Sequence, residues 1–331
     1  DPAGAWGPVF AINVLPMIIF FGALMALLFY FGIIQFVVEA IGKVLRPLLG
    51  TSGSETLCAI SNSFLGQTEA PLLVKEYLKT MTKSEIFVVM VSGMGTVSGT
   101  LLAVFAQMGV PAQHLLTASV MAIPGTILIA KMMIPQDEKV KLSDSQVTFE
   151  EEAKNPVDAI SRGTSDGLHL ALNVGAMLIA FLSLIALLNA IFGGFSSGIN
   201  YLLVLVGISA KMPQLSLNYI FSWICYPFAW FLGLKGQDAF LGSQLIGTKV
   251  AVCEFVAFTE MIKMKLSPRA ISLITYALCG FSNFACIGIQ IGGIGVLAPN
   301  KRHLICELGF RCVFAAAMAN LMSAMIVGLI T

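Results

Sequence analysis

Long uncharged apolar runs, cut by short polar or glycine-rich breaks, set the pattern of this 331-residue chain. No charged side chain occurs between Asp1 and Glu39, between Glu85 and Lys131, between Asp166 and Lys211, or between Arg269 and Lys301. A spanning helix needs about 20 apolar residues, so the first run has room for one span and the longer ones for two segments. The pattern predicts a first span over 10–37, then an amphipathic stretch to Leu49 with Lys43 and Arg46 on its polar side, as suits a helix at the membrane interface. Residues 51–78 are apolar but interrupted at Gly66-Gln67-Thr68-Glu69-Ala70-Pro71. Each half is too short to cross, so the segment reads as a re-entrant hairpin.

Two spans are expected over 84–107 and 114–133, parted at Pro111. The stretch 134–156, rich in Asp, Glu and Lys, reads as a solvated loop. An amphipathic piece over 158–167 leads into a span ending near Phe192, with a break expected at Gly193, Gly194, Ser196, Ser197 and Gly198. Trp223, Tyr226, Trp230 and Phe231 give 215–234 the aromatic density of an interface belt. Residues 237–264 form a second interrupted segment, with Lys249 and Glu254 inside it. Residues 270–299 read as a span broken at Gly280-Phe281-Ser282-Asn283 and again at Gly292-Gly293, and a last span closes the chain from about Arg311 to Ile330. Twice, then, an interrupted hairpin with an intramembrane glutamate precedes a broken apolar helix. Paired interruptions of this kind point to a transporter with internal repeats and a midplane site.

Composition sharpens this reading. Charged residues are 11% and apolar residues 57%, against roughly a quarter charged in a soluble domain, so the chain cannot cover a water-facing surface. A net charge of +1 gives no basic footprint for nucleic acid. His114, His169 and His303 are scattered, so no metal cluster is expected. The seven cysteines form no C-x-x-C pair and read mostly as small buried hydrophobes. The chain opens Asp1-Pro2-Ala3 with no basic segment, which is not a signal peptide, and earlier membrane helices are expected before it. No H-E-x-x-H or Walker lysine loop is present, so no enzyme is expected.

The chemistry lies at the breaks. A carboxylate at membrane depth costs about 2.5–3.5 kcal/mol on insertion scales, so Glu69 must face a cavity, a cation or a donor, or else a lysine such as Lys75. Gln67 and Thr68 add an amide and a hydroxyl where Gly66 and Pro71 free the backbone. Glu254 repeats the argument, with a structural pair to Lys249 as the alternative. Asn283 offers donor and acceptor to a hydroxylated ligand, or a bond between helices. Thr96 and Thr100 either serve close packing or, if the helix unwinds there, help ligate a hard cation through oxygen.

Gly66-Gln67-Thr68-Glu69-Ala70-Pro71-Leu72, Glu254-Phe255-Val256-Ala257 and Ala277-Leu278-Cys279-Gly280-Phe281-Ser282-Asn283-Phe284 together resemble the motifs of the concentrative nucleoside transporters, bacterial type, in the same order along the whole chain. The resemblance implies an all-α polytopic protein of a cell inner membrane, a homotrimer with a scaffold and a mobile transport domain working as an elevator. It implies scaffold at 1–50 and 301–331, transport domain at 51–110 and 236–300, and scaffold with connecting elements at 111–235. Carried over by position, Gln67, Thr68 and Glu69 would face the base with Leu101 packed on it. Glu254, Asn283 and Cys286 would face the ribose, and Phe281 would line the pocket. Sodium, the coupling ion, would take side chains of Asn62, Thr68 and Thr96 and carbonyls of Leu65 and Val97; no organic cofactor is implied. Cys253 stands where the family commonly has Asn, and Cys286 where it commonly has Ser, a weaker hydrogen-bonding group in each place. Proton coupling, and a channel, are the alternatives to sodium symport.

Overall fold

The structure, a computed structural model, describes residues 15–137, 153–205, 213 and 215–331, and every regular element among them is helical. The start of the expected 10–37 span and most of the 134–156 loop lie outside the described residues. Helix α1 (Leu15–Tyr30) turns by 70° into α2 (Ile33–Leu49). The turn uses Gly32, whose φ of 74° is open to glycine at no steric cost. The expected single span to Val37 is therefore two elements, and residues 33–37 open the amphipathic one. On α2 a stripe of Ile34, Val38 and Gly42 is buried while Glu39, Lys43 and Pro47 are exposed.

Helix α3 (Gly53–Ser61) starts at a capping box in which Ser52 and Glu55 satisfy each other's backbone amides. Nine residues rise only about 14 Å, well short of a bilayer core of about 30 Å. After the break at Gly66, a 3-10 turn (Ala70–Val74) packs back on α3 and leads into α4 (Lys75–Leu78). Helix α5 (Lys83–Gly95), capped the same way by Thr82 and Glu85, unwinds at Thr96-Val97-Ser98 before α6 (Gly99–Gln107). Helix α7 (Ala112–Met133) follows.

Helix α8 (Pro156–Leu205) runs unbroken through Gly193, Gly194 and Gly198, contrary to the expected break. Glycine costs only about 1 kcal/mol per helical position, less than freeing backbone groups where no water can satisfy them. The aromatic segment is α9 (Leu217–Phe231), with Trp223 and Trp230 exposed. Then come α10 (Gly236–Ala251) and α11 (Glu254–Met261), packed on each other, α12 (Pro268–Leu278), α13 (Phe284–Leu297) and α14 (Arg302–Ile330). Cys279–Asn283 separate α12 from α13 as expected, but α13 continues through Gly292-Gly293, and α14 begins at Arg302 rather than near Arg311.

Helix α14 packs against α5, α7, α12 and α13, so residues 301–331 lie against both broken helices. While α1 also lies against α6, helices α1 and α8 pack closely on each other. Their backbones meet through glycine: a Cβ on Gly22 would fall 2.8 Å from Gly163 O, and one on Gly167 2.8 Å from Ile19 Cα. Small residues at such crossings allow the close packing that holds membrane helices together. The outer faces carry large exposed apolar side chains, among them Phe310 and Phe314 on α14 and Ile179 and Leu202 on α8. Among the described residues four helices are long and apolar enough to cross a bilayer: Lys83–Gln107, Ala112–Met133, Ala186–Leu203 and Pro299–Ile330. The chain is a multi-pass membrane protein.

Candidate functional site

The two breaks meet. Phe281 N, in the second break, donates to Thr96 O, in the first, at 3.3 Å. Unwound backbone inside an apolar protein must find partners, and each break supplies part of what the other needs. Phe281 itself is half-buried between the two main apolar clusters of the protein.

At the first break Thr96 is buried and extended, with φ −112° and ψ 169°. Its hydroxyl lies 3.2 Å from Asn62 O and 2.8 Å from Ser92 O, two acceptors for one proton. Gly99 N donates to Phe64 O at 3.1 Å, a second tie between the loop after α3 and the break. Asn62, 1% exposed, donates from Nδ2 to Ser92 Oγ at 3.0 Å, while its Oδ1 is buried with no hydrogen-bond partner. No hydrogen bond to the carbonyls of Leu65 or Val97 is found among the described residues. An orphaned amide oxygen and carbonyls without hydrogen bonds are oxygen groups of the kind a hard cation takes. Thr68 is not gathered with them: its side chain is exposed and lies against Gly293 of α13, where an added Cβ would come within 3.1 Å of Thr68 Cγ2.

At the second break Asn283 serves two elements at once. Its Oδ1 caps α13 by accepting from Cys286 N at 3.0 Å, which turns Nδ2 toward Glu254, 3.1 Å from Oε2. Glu254 is buried in the first turn of α11, where the helix dipole favours a carboxylate. The alternative pairing with Lys249 is not what the protein does. Lys249, 2% exposed, sends its ammonium to Ala277 O at 2.8 Å and Asn320 Oδ1 at 2.7 Å.

A side-chain chain connects the two halves. Gln67, buried, donates to Cys286 Sγ at 3.2 Å and accepts from Gln290 Nε2 at 3.3 Å. Glu254, Asn283, Cys286 and Gln67 thus form one line from α11 through the start of α13 to the loop after α3. Glu69 folds back on its own turn, with Oε2 accepting from Gly66 N at 3.0 Å, and is exposed. Leu101 is buried in the first turn of α6, in the cluster that holds Phe105 and Phe258, whose rings lie 4.5 Å apart.

Two residues at the centre are absent from the reading of the sequence. Gln290, fully buried on α13, holds Gln67 and also donates to Met90 O at 3.0 Å. Asn320 on α14 donates to Gly95 O at 2.7 Å and Cys279 O at 3.0 Å, joining the ends of α5 and α12. The signal for both was present: each is a lone amide in a long apolar helix, and a polar group at that depth needs partners.

Residues 114–328 match the family described as Na+ dependent nucleoside transporter C-terminus, and residues 11–112 the family described as nucleoside recognition, the gate. An uncharacterised transporter of Haemophilus influenzae is 43% identical, covering 99% of this chain and 78% of its own length. Nucleoside permease NupC of Helicobacter pylori is 41% identical, covering 98% of this chain and 77% of its own. Among solved structures, CNTnw in an inward-facing substrate-bound state superposes with a TM-score of 0.89 at 40% identity, covering 98% of this chain and 77% of that one.

Proposed function

The chain belongs to the Na+-dependent concentrative nucleoside transporter family, and on that premise we propose that it carries nucleosides into the cell together with sodium. The base is held by Gln67, Thr68 and Glu69, with Leu101 and Phe281 against it, and the ribose by Glu254, Asn283 and Cys286. The observation that carries this reading is the line Glu254–Asn283–Cys286–Gln67. It sets a carboxylate and two amides along one path, which suits a ligand with hydroxyls at one end and a heterocycle at the other. Ribose hydroxyls are donors, and a buried carboxylate accepts them as charge-assisted hydrogen bonds.

Sodium is the co-substrate. Asn62, Thr96, Leu65 and Val97 supply it with oxygen, an assignment supported by the orphaned Asn62 Oδ1; Thr68 joins the set only by leaving its place against Gly293. Because the hydroxyl of Thr96 reaches the Asn62 carbonyl, a cation there would bind loop to helix. Only a site that links the two lets sodium favour the substrate-ready shape. The two hairpins and the broken helices form the moving unit of an elevator, with α14 beside them, and the α1–α8 pair belongs to the scaffold of a homotrimer in the inner membrane.

Uridine uptake into proteoliposomes tests the coupling. Uptake should saturate and follow an inward sodium gradient, and remain at background with choline or with a proton gradient alone. Equal uptake driven by protons alone would overturn sodium coupling.

Thr96→Ala removes one hydroxyl and leaves the nucleoside contacts in place. It should raise the sodium concentration for half-maximal uptake by roughly fivefold, the worth of one hydrogen-bonding group, with nucleoside affinity recovering at saturating sodium. Normal sodium dependence in that variant would return Thr96 to a packing role.

A further inference from the structure

Lys249 is a fully buried lysine with no carboxylate within ion-pairing distance among the described residues; all its partners are neutral oxygens. Asn320 Oδ1 accepts from it at 2.7 Å and lies 3.4 Å from Ser282 Oγ, while Ala277 O accepts at 2.8 Å. An ammonium cannot stay charged in such a place without compensation.

Part of the compensation is the charge of Glu254, which makes no direct pair with the ammonium but lies near enough to act on it, and the rest is in the backbone. Helix α5 ends at Gly95 and α12 ends at Leu278, and Asn320 ties the Gly95 and Cys279 carbonyls together within one hydrogen bond of the ammonium. Each helix C-terminus carries about half a negative charge. Two converging ends amount to about one, which a single ammonium neutralises. In transporters with broken helices, such half-helix ends and unwound carbonyls are where coupling cations bind. Here a tethered side chain already stands there.

We propose that the Lys249 ammonium is a resident cation, filling a monovalent-cation site at the second break that is built from Ala277 O and Asn320 Oδ1, the latter also within reach of Ser282 Oγ. The first break is left to be closed by an ion from solution, while the second carries its own cation on α10. Lys249 thereby locks α10 to both broken helices, because Asn320 spans them. The inference rests on the reading of the chain as a sodium symporter, and its consequence is that removal of the side chain opens a second site for small monovalent cations.

The test is uridine uptake by Lys249→Ala and Lys249→Gln in proteoliposomes, with wild type in the same assay. At low sodium, Lys249→Ala should lose uptake by roughly a hundredfold, as expected when one partner of a buried polar arrangement is removed. Methylammonium, which fits the vacated volume, should restore it at least several-fold, whereas choline should not. High sodium should also restore it, with the sodium Hill coefficient rising from about one to about two. Lys249→Gln keeps amide donors without the charge and should stay impaired.

Wild-type-like uptake in Lys249→Gln would overturn the proposal. So would failure of both methylammonium and sodium to rescue Lys249→Ala protein that still shows a uridine-dependent thermal shift. If Lys249→Ala is too unstable for transport, its melting temperature decides: stabilisation by methylammonium but not choline supports the site, and its absence sinks it. Sodium-independent uptake by the wild type would instead refute the symport reading, so the two failures are distinguishable.

Discussion

Glu254→Gln should weaken uridine binding by about 10- to 100-fold, the loss of a charged hydrogen bond worth about 1.5–3 kcal/mol. The geometry at Asn283 explains why glutamine is not an innocent replacement. Asn283 Oδ1 is committed to Cys286 N, so Nδ2 is the face it offers to position 254. A glutamine must turn its carbonyl toward that Nδ2, which leaves its own NH2 toward the ligand. A ribose hydroxyl that donated to the carboxylate would then meet a donor. The same logic applies from the ligand's side. Wild type should bind a deoxyuridine lacking the contacted hydroxyl much more weakly than uridine, because the buried carboxylate is left uncompensated. Glu254→Gln should discriminate less between the two. Isothermal titration of both ligands on both proteins reads the cycle directly. A folded Glu254→Ala protein that bound uridine with wild-type affinity would remove Glu254 from the site. Cys286→Ser should be neutral or improve affinity, since a hydroxyl accepts from Gln67 Nε2 better than the thiol does now.

The breaks that matter were legible because their chemistry is unlike the apolar runs around them. Gly66 and Gly280 each stand where a polar or small residue interrupts a hydrophobic segment, and each marks unwound backbone in the structure, while the unwinding at Thr96, left open by the sequence beside a packing role, is present as well. Glycine alone was a poorer guide. Gly193, Gly194 and Gly198 lie within a continuous helix, and none has an atom within 4 Å of the position a Cβ would take, so nothing there requires unwinding. Gly293 is different again: α13 continues through it, and its missing Cβ admits Thr68. The partners were illegible for another reason. Lys249 and Glu254 are close in sequence, which suggests a pair, but the start of α11 turns the carboxylate toward Asn283 while the lysine on α10 reaches one carbonyl of α12 and the Asn320 amide on α14. Gln290 and Asn320 could be expected to bond something, yet the choice among many carbonyls is made only when four helices are in place.

Gly280→Ala should abolish sodium-driven uridine uptake. A Cβ at position 280 would fall on Asn320 Oδ1 and within 2.8 Å of Gly95 O. Neither neighbour can give way cheaply. Gly95 O is backbone at the end of α5, and Asn320 is held by Lys249, Gly95 and Cys279, with Ser282 also within reach. Relief must come from pulling the second break away from the first. That lengthens the bond from Phe281 N to Thr96 O and separates the two groups of residues assigned to nucleoside and sodium. Overpacking of this kind costs about 1–3 kcal/mol, so the variant should still fold with a lowered melting temperature while coupling fails. Gly292→Ala is the control: it lies on α13 with nothing within 4 Å, and alanine there should leave uptake intact and raise stability by about 0.5–1 kcal/mol. Thermal melts and proteoliposome uptake on both variants separate stability from transport. Wild-type sodium dependence and uptake in Gly280→Ala would show that the two breaks can part without consequence, and the joined breaks would lose their place as the centre of coupling.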